Sequence, residues 1–148
     1  MLSRQLIIYF LLCLIAIFMV REFSFNPESF SSSRNSVILI FPYVLLTFSL
    51  FGYELFLKLK DASFKVCTWR KMIICSFIVM LAASVLEFVY FSELIQKFGR
   101  PFTRVESRMF SYTWLNQYTN TFFVNFYTFL MYASTVTFCT SLITLVKK

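Results

Sequence analysis

Four stretches of this chain are apolar over the length of a bilayer crossing, and no other property of the sequence restricts its fold as severely. The hydrocarbon core is about 30 Å thick, so a helix needs about 20 apolar residues to cross it. Within it, backbone groups must satisfy one another because no water is present. The apolar stretches lie at residues 5–21, 36–57, 72–94 and 119–146. They predict an all-α polytopic membrane protein, a bundle of four transmembrane helices forming a single domain over residues 1–148.

Composition excludes the soluble alternative. A water-soluble fold presents a mostly polar exterior, yet 59% of these residues are hydrophobic, 21% are aromatic and only 14% are charged. No long Gly-, Ser- or Pro-rich linker divides the chain.

The first stretch, QLIIYFLLCLIAIFMV, follows Arg4 in the manner of a signal peptide. The following AIFMVREF has no small-x-small cleavage site, so a retained anchor is expected. The second stretch contains Pro42 and Gly52, which membrane helices tolerate when neighbouring groups take up the freed carbonyls. The third contains Glu87, and the fourth distributes Thr, Ser and Asn among its apolar residues.

Orientation is read from Lys and Arg near the span ends. Placing both termini in the cytoplasm puts eight basic residues inside and six outside. The bias rests mainly on the connection KLKDASFKVCTWRK, residues 58–71. The net charge of +7 fits contact with anionic lipid headgroups, worth about 1 kcal/mol per basic residue. It is not arranged as in a nucleic-acid groove.

No catalytic apparatus is visible. The chain has no histidine, and Cys13, Cys67, Cys75 and Cys139 lack the spacing of a zinc or redox site. Nucleophile-elbow, phosphate-loop and zincin motifs are missing. The expectation is a protein without enzymatic activity, metal or cofactor.

Glu87 and Glu54 are the carboxylates well inside the spans, Glu93 standing at the outer end of the third. Glu54 has Lys58 one helical turn away, the ordinary i,i+4 pairing. Glu87 lies beyond the centre of its span, about 6 Å further on by helical rise. It can reach the outer surface, accept from Arg21, Arg100 or Arg104, recognise a partner, or serve transport. Beyond it, residues 93–118 mix basic residues with Phe98, Phe102, Phe110, Tyr112 and Trp114, which suits a segment lying in the headgroup layer. Gly99-Arg100-Pro101 predicts a turn, and TRVESRMFSYTWL a short surface helix. In the fourth span, Thr121, Asn125, Thr128, Tyr132, Thr135 and Cys139 recur at spacings of four and three and so share one helix face. Such a face serves close packing within the bundle or docking onto another protein's helix.

Taken together, the four spans, the basic middle connection, the FGRPFTR stretch with Arg100 and Arg104, the Asn-, Tyr- and Thr-rich last span and the terminal LVKK resemble the plasmid-borne immunity proteins of pore-forming colicins, the colicin A type. The resemblance runs from about residue 50 to the end. It implies a bacterial inner-membrane protein that protects the producing cell. Such proteins bind the toxin's pore-forming domain within the bilayer and block channel opening. On that reading the partner-binding candidates are Glu87, Arg100, Arg104, Asn125, Thr128, Tyr132 and Thr135. The alternative is a small non-catalytic structural or assembly subunit of a larger membrane complex. A transporter would want a polar lining shared by several spans, and only the fourth is polar.

Overall fold

The structure is a computed structural model that describes residues 4–23, 36–97 and 120–147. It contains α1 (Arg4–Phe23), α2 (Ser36–Lys60), α3 (Val66–Lys97), a single turn α4 (Asn120–Phe123) and α5 (Phe126–Val146), with no strand among the described residues. Four segments have the length and apolarity of a bilayer crossing: Arg4–Glu22, Phe41–Lys60, Val66–Gln96 and Phe126–Val146. The protein is a multi-pass membrane protein with an all-α, four-helix architecture. Arg100, Arg104, the expected Gly-Arg-Pro turn and the expected surface helix lie outside the described residues.

Two boundaries differ from the sequence expectation. Helix α3 starts at Val66 rather than residue 72, because Arg70 and Lys71 are good helix formers and the helix does not stop where apolarity does. The last span is shorter. It was expected to run unbroken over 119–146, but the chain bends at Val124 and Asn125, and α5 begins at Phe126.

The helices stand in the order α1, α2, α5, α3, with each neighbouring pair in contact. Helices α1 and α2 run antiparallel: Cys13 donates its thiol to the Thr47 carbonyl at 3.3 Å, while Ala16 packs with Val44. Helices α2 and α5 run parallel and share an aromatic core around Phe129, which is 1% exposed. Its ring lies 5.2 Å from both Phe48 and Phe51 and 5.8 Å from Phe10 of α1. The Tyr132 side chain of α5 lies across Gly52 of α2. A Cβ there would overlap the Tyr132 hydroxyl and come within 2.7 Å of its ring Cζ, and Tyr132 is itself stacked on Phe48.

Helix α3 runs antiparallel to α5 and is held along one stripe. Trp69, Ile73, Ser76, Met80, Ala83, Glu87, Tyr90 and Leu94 are buried or half-buried, spaced alternately four and three apart, whereas Ile74, Ile78, Val85 and Phe88 are exposed. That is the 3.5-residue period of a narrow helix–helix seam. Outside the aromatic core and Trp69, many large apolar side chains face outward, while Thr47, Ser76, Ser134, Thr140 and Ser141 are buried. Lipid is as apolar as leucine, so burying leucine gains nothing there. Small residues instead let backbones approach and gain dispersion contact.

Candidate functional site

Glu87 occupies a position on the α3 seam, so its carboxylate is directed toward α5 rather than into lipid. It meets Asn125. The Asn125 Nδ2 donates to Glu87 Oε1 at 3.0 Å and to the Thr121 carbonyl of α4 at 3.1 Å. Its Oδ1 accepts from the backbone N–H groups of Tyr127, at 2.8 Å, and Thr128, at 3.0 Å. Both amide hydrogens and two acceptor positions are therefore in use, which satisfies this buried side chain.

The local sequence explains the bend. Asparagine is among the preferred residues for capping a helix N-terminus, because its short amide reaches orphan N–H groups of the first turn. Asn125 has extended backbone angles, φ −147° and ψ −179°, and caps α5. Thr128 completes a capping box by accepting from the Asn125 N–H at 3.0 Å, a task often given to Glu or Gln. The same hydroxyl donates to the Asn125 carbonyl at 2.8 Å.

This arrangement accounts for a carboxylate in an oily helix. The positive end of the α5 dipole favours an anion close by, and Asn125 connects that end to Glu87. The Tyr90 and Tyr127 rings stand edge to face at 5.9 Å beside the junction. Glu87 forms no ion pair among the described residues, so its neighbour on this face is an amide rather than Arg21. The second carboxylate oxygen, Oε2, is buried with no hydrogen-bond partner among the described residues.

Comparison with known protein families, curated proteins and solved structures gives no match.

The expected polar face of the last span is divided. Asn125 is a cap outside the helix, and Thr128 closes the capping box. Tyr132 faces α2, where it packs over Gly52. Thr135 faces α3, with its hydroxyl 3.6 Å from the Met80 sulfur, and donates to its own helix at the Met131 carbonyl, 2.7 Å away. Cys139 is exposed. Most α5 hydroxyls do likewise: Ser134, Thr137, Thr140 and Thr144 each donate to a carbonyl four residues back. They thus supply small, satisfied surfaces rather than a ladder of interhelical bonds. Of the seven candidates, the structure brings Glu87, Asn125 and Thr128 together and points Tyr132 and Thr135 at different neighbours. Glu54 pairs with Lys58 at 3.6 Å, as its spacing predicts.

Further along the same seam, α3 and α5 leave an open groove of about 270 Å³ beside Ser76, Ala133 and Ser134. Tyr90 was not anticipated at the junction, although its place three residues after Glu87 puts it on the same helix face. Among the described residues no three His, Cys, Asp or Glu side chains gather to hold a metal ion.

Proposed function

We propose that this protein acts without chemistry, by binding the helices of another protein at bilayer depth, and that it is an inner-membrane immunity protein that blocks the pore-forming domain of a colicin-type toxin. The observation that carries the reading is the half-satisfied Glu87 carboxylate: Oε1 is held by Asn125, while Oε2 is buried with no hydrogen-bond partner among the described residues. An acceptor left unpaired in a low-dielectric medium gains from any donor that reaches it. The donor of an incoming toxin helix fits that need. Helix α3 supports the reading, because its flanks are exposed over the whole seam and offer an approach beside Glu87. Both termini are then cytoplasmic, and the Glu87 end faces the side from which a toxin arrives.

The test is survival. Toxin-sensitive bacteria making this protein are challenged with a panel of pore-forming toxins, with membrane abundance measured in parallel. Protection against one toxin is expected, and Glu87→Gln is expected to lose it at unchanged abundance. Killing by every toxin at normal abundance overturns the immunity role. Recovery in that case of a stable complex with resident membrane proteins would favour the assembly-subunit alternative, to which the open flanks of α3 are equally suited.

A further inference from the structure

At the end of the bundle remote from Glu87, the parallel helices α2 and α5 diverge and leave a cleft of about 290 Å³. Its walls are Phe56 and Lys60 of α2, Thr140, Ile143 and Thr144 of α5, and Lys147 at the α5 C-cap. Each lysine alone has an ordinary explanation, since cations favour the negative end of a helix dipole. That explanation does not require two helices to bring their lysines to one cleft.

The charges are available. Lys58 is engaged by Glu54, but Lys60 and Lys147 make no ion pair among the described residues, and neither does the adjacent Asp61. Lys60 lies over the Phe56 ring at 6.0 Å, so its stem follows the apolar wall with the ammonium at the rim. The threonines offer methyl groups more than donors, because Thr140 and Thr144 give their hydroxyl hydrogens to Val136 and Thr140 carbonyls. The cleft is therefore cationic at the mouth and apolar along the wall.

We infer that this cleft binds an anionic phospholipid, with the phosphate between Lys60 and Lys147 and the upper acyl chain against Phe56 and Ile143. A free phosphate finds the same ammonium groups but gains nothing from the apolar wall, whereas a lipid uses both. A basic pocket between helix ends at membrane-surface depth is a known form of headgroup recognition.

The full-length protein is placed in phosphatidylcholine nanodiscs doped with phosphatidylglycerol, and retained lipid is counted by native mass spectrometry. Phosphatidylglycerol is expected to be kept at least about tenfold over phosphatidylcholine, with Lys60→Gln or Lys147→Gln each lowering that preference about fivefold. The double variant is expected to remove the preference. Lys65→Gln, an exposed lysine away from the cleft, is expected to change it less than twofold. Equal retention of the two lipids overturns the inference, as does an equal loss for Lys65→Gln, which would mark general surface attraction. Displacement of the lipid by millimolar inorganic phosphate also overturns it, in favour of a soluble anion.

Discussion

Asn125 performs two tasks that are usually separate: it starts α5 and it occupies one oxygen of the only carboxylate on the α3 seam. Replacing it by Leu removes a cap and leaves a buried acceptor bare, an expected loss of about 2–4 kcal/mol of stability. Asn125→Ser keeps a capping oxygen, so it is expected to recover about 1 kcal/mol of that loss. Unfolding in mixed detergent micelles measures both, and equal stability of the Leu and Ser variants would remove the capping role. Glu87→Gln retains an acceptor for Asn125 and is expected to cost no more than about 1 kcal/mol. Ser141 is the opposite case. Its hydroxyl is fully buried with no hydrogen-bond partner among the described residues, so Ser141→Ala is expected to be neutral or stabilising by about 1 kcal/mol. Both Glu87 and Asn125 stand out in the sequence, one as a charge in an apolar run and the other as an amide in an apolar span. Their pairing was not legible, because it depends on the register between helices 38 positions apart. It also depends on a bend that hydropathy does not register.

Among the elements, the spans were readable because lipid imposes one length and one polarity on every crossing helix. The α3 start and the α4–α5 break were not, since helix ends follow capping and backbone hydrogen bonding, which an apolarity profile ignores. The heptad stripe from Trp69 to Leu94 carries no distinctive residue pattern in so apolar a helix, and only the burial pattern shows which stripe meets a neighbour. Gly52 shows the same limit: tolerance of glycine was expected, but its necessity comes from the Tyr132 ring lying across it. Gly52→Ala is expected to cost about 1–3 kcal/mol by pushing the Tyr132 ring off Gly52 and out of its stack on Phe48. Adding Tyr132→Ala removes the obstructing ring, so the two losses are expected to fall short of additive by at least about 1 kcal/mol. Strict additivity in the double-mutant cycle would show that the close approach is not the reason for the glycine.

For the molecule as a whole, four crossings put Cys67 and the C-terminal end of α5 on one face of the membrane, and its cysteines report on this. Cys13 is buried in the bundle, while Cys75 and Cys139 are exposed at positions inside the crossing segments and so face lipid. Cys67 is in the first turn of α3, whose 31-residue apolar segment is longer than the hydrocarbon core, and lies between the basic residues Lys65 and Arg70, so it is the one expected to react with a membrane-impermeant maleimide. It should do so from the same face as a tag fused after Lys148, and labelling of the two from opposite faces would contradict the four-crossing topology. The order of the helices has a further consequence for biogenesis. Helices α2 and α3 follow one another through the short connection 61–65, yet in the finished bundle α5 stands between them. A nascent chain emerging in sequence would release these two as adjacent partners, and α5, synthesised after both, must part them. Assembly of the four-helix bundle then waits on α5, because before it is made α1 and α2 have each other while α3 lacks the neighbour it packs against.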